Sequence, residues 1–189
     1  MSSIGTYEPQ STLWKTAIYC HAPVRFYIVY LRYKYFTSII QNGCLIIVNL
    51  AVFLNVIENL TLIGLTHWTS SQNYKYHELC FKTFIGTSVF YMLFICILLT
   101  KYRRRPNITS REQRSVKLKW RAFITNVTSF VFAAYFFLRH NSLCEPYVYS
   151  MFGLAEYIVV ISNVLFHLTT AYDLQFNFMC VTSKGLQVE

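Results

Sequence analysis

The sequence predicts an all-α fold, a polytopic bundle of membrane-spanning helices. Three observations carry that expectation. Hydrophobic residues make up 54% of the 189 residues and charged residues 13%, about half the roughly 25% usual in soluble domains. The apolar residues fall in runs of about twenty, the length that crosses a hydrocarbon core about 30 Å thick. The net charge of +9 is concentrated in one short segment, KYRRRPNITSREQRSVKLKWR (101–121), where nine Lys and Arg face the single acid Glu112. A nucleic-acid footprint would spread its cations over a soluble surface. Cations gathered in one inter-span segment instead mark the cytosolic side of a membrane protein. No nucleic-acid partner is expected.

Five spans are expected, in one membrane domain covering 1–189. The first, 12–31, is the least apolar, since it carries Lys15, His21 and Arg25. The second, 41–65, is centred on CLIIVNLAVFLNVIENLTLIGL. The third is 81–100, the fourth 122–139 and the fifth 147–170. Their unbroken apolarity suits helices; a membrane barrel would alternate over segments of about ten residues. With 101–121 as a basic cytosolic loop, alternation makes 1–11, 66–80 and 140–146 lumenal. It makes 32–40 and the tail 171–189 cytosolic. Pro106 should end any helix entering the loop from the third span. Trp14, Tyr30, Tyr33, Trp68, Tyr102, Trp120, Tyr147 and Tyr172 lie near span ends, as interfacial aromatic belts do. The basic loop also suits contact with anionic lipid head groups, worth about 1 kcal/mol per cation near the surface.

The first dozen residues lack the apolar region of a signal peptide. The six cysteines contain no Cys-x-x-Cys pair, which removes thiol-redox and zinc-ribbon readings. Cys80 and Cys144 both fall on the lumenal side, where a disulfide is permitted. The five histidines show no His-x-x-x-His spacing, so no metal site is expected.

Function is sought among polar residues at membrane depth, which are expensive there and either pair inside the bundle or serve chemistry. The first span has His21 and Arg25 one turn apart. The second has Asn55, Glu58 and Asn59. The fourth ends in Arg139, His140 and Asn141. The fifth carries Glu156, Asn163 and His167 on one stripe, at spacings of seven and four. One reading is a head-group pocket of His21, Arg25, Asn55, Glu58, Asn59, Asn141 and Asn163, opening toward the lumenal leaflet. Counting rises of about 1.5 Å per residue places Glu58 and Glu156 at similar depth, within reach of one cavity. In an acyl-transfer version, His140 or His167 is a general base and Arg139 holds a phosphate, with Glu156 a fourth candidate. The other reading is polar glue between helices, at about 0.6 kcal/mol per contact.

Several of these residues sit in longer motifs. FLRHNSLCEPYVYSMFGLAEYIVVISNVLFHLTTAYDL (137–174), NVIENLTLIGLTHWTSSQNYKYHE (55–78), HAPVRF (21–26), Trp14-Lys15 and SSIG (2–5) occur in this order. Together they resemble the post-GPI attachment to proteins factor 2 family, within the wider Frag/DRAM/Sfk group of polytopic proteins. The resemblance covers roughly residues 2–175. It implies a membrane factor of the Golgi or endoplasmic reticulum that remodels the lipid of glycosylphosphatidylinositol (GPI) anchors. The step is return of a fatty acid to a lyso intermediate on anchored proteins, supporting their maturation and surface expression. Anchored proteins, the anchor lipid and membrane lipids are the implied partners. No cofactor is implied beyond an acyl donor if the chain is itself the enzyme. Whether members catalyse acyl transfer or assist it does not follow from the motifs. Family members carry one more span ahead of SSIG, which this chain is expected to lack. The alternatives are a non-enzymatic scaffold of membrane lipid organisation and a small transporter; against the latter, no inverted repeat is visible.

Overall fold

A computed structural model of the chain describes residues 9–69, 72–104, 108–143 and 147–173. The elements are α1 (Gln10–Ile39), α2 (Leu45–His67), α3 (Tyr74–Lys101), α4 (Ser110–Leu143) and α5 (Val148–Leu168), with one short 3-10 turn at Asn42–Cys44. A further helical turn carries α5 to Asp173. Among the described residues the only extended pairing is an isolated bridge between Ile40 and Arg103. The architecture is the expected all-α bundle.

Four helices, α2 to α5 with their flanking turns, are long and apolar enough to cross a membrane. Large apolar side chains cover the outside: Ile46 is 80% exposed, Leu138 66% and Phe53 60%. A monomer in water rarely carries so continuous an apolar surface; lipid removes the conflict. The first helix, of 30 residues, spans about 45 Å at 1.5 Å per residue. It carries too many polar residues to qualify on composition alone, and it tolerates Pro23 within its length.

Two boundaries differ from the sequence expectation, both at the basic end. The segment 32–40 is the last two turns of α1 rather than a loop. Half of the expected loop 101–121 is helix, because α4 begins at Ser110. The start is set by a reciprocal cap. The Glu112 N–H donates to Thr109 Oγ1 at 3.3 Å, and the Thr109 N–H donates to Glu112 Oε2 at 3.0 Å, which satisfies two otherwise orphaned donors. Glu112 also pairs with Arg103 at 2.5 Å. Lys119 is not a solvated cation of the loop but is 2% exposed. The connection after α1 pairs with the connection after α3. The Gln41 N–H donates to the Tyr102 carbonyl at 3.0 Å, and the Arg104 N–H to the Ile39 carbonyl at 2.9 Å. Both connections therefore close the same end of the bundle, as alternating spans require.

The apolar core lies toward that end. Phe36 of α1, Ile40 just after it, Val48 and Ala51 of α2, and Met92, Ile95, Cys96 and Leu99 of α3 pack together with Phe166 of α5. At the opposite end Gly64 lets α2 and α3 approach closely. A Cβ there would stand 2.8 Å from Cys80 Sγ and 3.3 Å from the Trp68 ring. Gly64→Ala is expected to destabilise the bundle by about 1–3 kcal/mol, the usual penalty for overpacking. Cys80→Ala in the same chain should relieve it. Thermal unfolding of the detergent-solubilised single and double variants checks this; equal loss in both would mean that sulfur is not the obstacle. Cys80 is a free thiol. Its suggested partner Cys144 lies outside the described residues, as does the tail from 174 onward.

Candidate functional site

The polar residues of α1, α2 and α5 converge on one buried carboxylate. Glu58 of α2 has no solvent exposure. Its Oε1 accepts from Asn163 Nδ2 and from His167 Nε2, each at 2.9 Å. Arg25 Nη2 of α1 stands 3.6 Å away, close enough for charge pairing and too long for a hydrogen bond. Asn163 also donates to Ser88 Oγ of α3 at 2.6 Å, so four helices meet at this point. The spacing of four between Asn163 and His167 lets one face of α5 supply both donors. An ionised carboxylate removed from water is affordable only with such pairing.

A second cation organises the other side of His167. Arg32 is 3% exposed and uses its whole guanidinium. Nε donates to Thr170 Oγ1 at 2.8 Å, Nη1 to Tyr91 OH at 2.5 Å and to His167 Nδ1 at 2.8 Å. Nη2 donates to the His167 carbonyl at 2.9 Å and also to Thr170. Arginine has only donors, so His167 Nδ1 must accept and Nε2 must carry the hydrogen given to Glu58. The Tyr91 ring stacks on the imidazole, with centroids 5.5 Å apart and planes inclined at 11°. His167 is thereby held in one tautomer and one orientation, with both nitrogens occupied.

Between α1, α2 and α5 lies a partly open cavity of about 90 Å³. His21, Arg25, Arg32, Asn55, Asn59 and His167 make its polar wall; Ile28, Val164 and Leu168 make the apolar one. Asn59 donates to Asn55 Oδ1 at 3.5 Å. Asn59 Oδ1, Arg25 Nη2 and the second Glu58 oxygen are buried without a hydrogen-bond partner. Each such group costs about 1–3 kcal/mol, and Arg25 and Asn59 both line the cavity. With Arg25 and Arg32 set against Glu58, the site carries an excess of positive charge.

The structure thus brings together His21, Arg25, Asn55, Glu58, Asn59, Asn163 and His167. It does not bring Arg139, His140 or Glu156 to them. Arg139 donates to Tyr135 OH at 2.9 Å, and His140 packs its ring against Tyr149. Both lie at the far end of α4. Glu156 is half-buried, two turns before Asn163, and does not line the cavity. The depth estimate erred because the α5 residues that reach Glu58 lie seven and eleven positions beyond Glu156, roughly 10–17 Å along the helix. The cavity sits at mid-length on α1 and α2 and near the C-terminal end of α5. The Asn141 side chain lies outside the described residues. Among the described residues no group of three or more His, Cys, Asp or Glu is placed to hold a metal ion.

Sequence reasoning missed Arg32, Tyr91, Ser88 and Thr170. One signal for Arg32 was present: it follows Arg25 by seven positions, on the same face of a helix. It was hidden because 32–40 read as a loop. Lys119 was missed in the same way. It donates to Asp173 Oδ2 at 2.6 Å and to Ser115 Oγ at 2.7 Å, while Ser115 donates to Asp173 Oδ1 at 2.7 Å. This ion pair ties the last turn of α5 to the start of α4.

Comparison with known proteins bears on what such a site serves. The family described as the Frag1/DRAM/Sfk1/Cwh43P N-terminal domain matches residues 1–176. The chain is 39% identical over 186 residues to post-GPI attachment to proteins factor 2 of Drosophila melanogaster, covering 98% of this chain and 72% of that protein. It is 34% identical over 190 residues to the protein of the same name from Caenorhabditis elegans, covering 97% and 72%. It is 33% identical over 186 residues to a Xenopus tropicalis protein named acyltransferase PGAP2, covering 97% and 73%. No solved structure matches the chain.

Proposed function

The chain belongs to the Frag1/DRAM/Sfk1/Cwh43P family, and from that premise we propose that it serves the lipid remodelling of GPI anchors on proteins, at the step that returns a fatty acid to a lyso intermediate. The names of its relatives, factors acting after GPI attachment and an acyltransferase, support the process. The observation that carries the reading into this chain is the polar cavity between α1, α2 and α5. It is cationic, lies at membrane depth and has apolar side chains on one wall. That combination suits the phosphate-bearing part of a lipid whose chain stays in the bilayer. The residues we assign to it are His21, Arg25, Asn55, Glu58, Asn59, Asn163 and His167. The basic start of α4 is proposed to face the cytosol and anionic lipid, and the membrane to be that of the Golgi or endoplasmic reticulum.

One observation favours a non-catalytic role, in which the chain binds and presents the lipid. Both ring nitrogens of His167 are already engaged, so it cannot take a proton from substrate without giving up Arg32 or Glu58. Deleting the gene and measuring the anchor fatty acids and surface levels of anchored proteins tests the process. Altered fatty acids and reduced surface levels are expected, and unchanged values of both would end the proposal. Purified chain given a lyso-anchor and an acyl donor then separates the roles: turnover identifies an enzyme, and binding without turnover a presenting factor.

A further inference from the structure

We infer that the outward side of the first three turns of α4 binds an inositol lipid bearing a phosphomonoester on its ring, through Arg111, Arg114, Lys117 and Arg121. The site is separate from the cavity. The proposed function enters only in placing the start of α4 on the cytosolic side.

Three cations of the segment 101–121 are spent on the bundle itself. Arg103 pairs with Glu112. Arg104 donates to the Ile40 carbonyl at 2.6 Å and to Asn42 Oδ1. Lys119 is buried on Asp173. These contacts also use both acids described at this end, Glu112 and Asp173. Arg111, Arg114, Lys117 and Arg121 stand apart. All four are exposed, and none has an ion pair or hydrogen bond from its side chain among the described residues. They recur at spacings of three, three and four, which aligns them along one side of a helix. The other side, with Ser115, Lys119 and Asn126, is buried against the bundle. Like charges one turn apart repel, so four in a row with no acid free to face them call for an anion from outside the chain. The reciprocal cap of Thr109 and Glu112 fixes the helix on which they stand.

The direction of the row selects the class of anion. α4 crosses the membrane, so its cations run outward from the bilayer instead of along its surface. Between Ala122 and Leu138 the helix carries no charged residue, which puts Arg121 at the edge of the apolar stretch. Lys117, Arg114 and Arg111 follow at about 6, 10 and 15 Å beyond it, at 1.5 Å per residue. The head-group layer on each side of a bilayer is about 5–8 Å thick. Arg121 and Lys117 therefore lie within that layer, at the level of every lipid phosphodiester. Arg114 and Arg111 lie beyond it, where phosphatidylserine or unmodified phosphatidylinositol has no charge to offer. An inositol ring stands outward from its phosphodiester, and a phosphomonoester on its far side meets the outer pair. That group adds about −1.5 to −2 of charge and oxygens that a guanidinium fork binds in pairs. One molecule thus matches the row along its length, with the phosphodiester at the inner pair and the phosphomonoester at the outer.

The test uses the full chain in detergent micelles, with lipid binding read by native mass spectrometry. The probes are phosphatidylinositol 4-phosphate, phosphatidylinositol and phosphatidylserine with identical acyl chains. The phosphorylated lipid is expected to bind about fivefold more tightly than the other two, or better, the gain from one further cation engaged near the surface. Arg111→Gln with Arg114→Gln should bring it down to the level of phosphatidylinositol and leave the other two lipids unchanged. Lys117→Gln with Arg121→Gln should weaken all three. Arg25→Gln, in the cavity, should leave the preference intact. Equal binding of the three lipids overturns the inference. So does a preference that survives loss of the outer pair, or one that disappears with Arg25. A hexaglutamate peptide that binds more tightly than the phosphorylated lipid also overturns it, and gives this face to an acidic protein segment. The comparison among lipids uses the unaltered chain and decides the matter even if a variant does not fold. Micelles have no cytosolic side, so the outcome does not depend on orientation. Unchanged anchors in deleted cells with selective binding intact defeat the proposed function alone. Altered anchors with no selective binding defeat this inference alone.

Discussion

Glu58→Ala is expected to be the most damaging single substitution in the chain. It removes the acceptor shared by Asn163 and His167 and the counter-charge of Arg25. Three polar groups on two other helices are then left in the bundle interior without their partner. Breaking a buried ion pair from one side costs about 3–5 kcal/mol, which is comparable with the stability of many domains, about 5–15 kcal/mol. Glu58→Gln should cost clearly less, since an amide oxygen still accepts from Asn163 and His167. It should nevertheless leave Arg25 uncompensated. The thermal unfolding of purified protein followed by size-exclusion chromatography measures both. If alanine and glutamine were equally mild, Glu58 would not be the organising acceptor of the four-helix junction.

Lys119→Met is expected to have the next largest effect, by a mechanism independent of the cavity. It leaves the Asp173 carboxylate buried with only Ser115 to donate to it, again at a cost of about 3–5 kcal/mol. Adding Asp173→Asn removes the orphaned charge and keeps an oxygen for Ser115. The double variant should therefore recover a large part of the loss, because replacing both members of a buried pair is often close to neutral. Additive losses in this double-mutant cycle would show that the two side chains are not coupled. Lipid binding should be little changed in the double variant, since neither residue lines the cavity.

Both predictions turn on residues whose role was only partly legible. Glu58 stood out in the sequence because a carboxylate inside an apolar run needs a reason. Asn163 and His167 stood out as a stripe on the fifth span. That the three touch one another was not legible, nor that Glu156, on the same stripe, stays away. Arg32, Arg103 and Lys119 looked alike in sequence, each a cation at the basic end of the chain. In the fold Arg32 saturates itself against α3 and α5, Arg103 pairs with the helix-capping Glu112, and Lys119 is buried against Asp173. Charge counting sees only their sum.

The sequence by itself determined the class of protein, the number and approximate extent of its helices and the basic end of the bundle. It also carried the motifs that place it in its family. These follow from quantities local to the chain: the length of apolar runs, the period of a helix and the clustering of charge. Tertiary structure alone decided which polar groups became a site. In an apolar medium a buried donor or acceptor is stable only where another helix presents its complement within about 3 Å. That meeting depends on the rotation and offset of each helix against its neighbours. The packing of α1 and α5 against α2 therefore selected Glu58, Arg25, Asn59 and His167, and left Arg139 and His140 at the other end of α4.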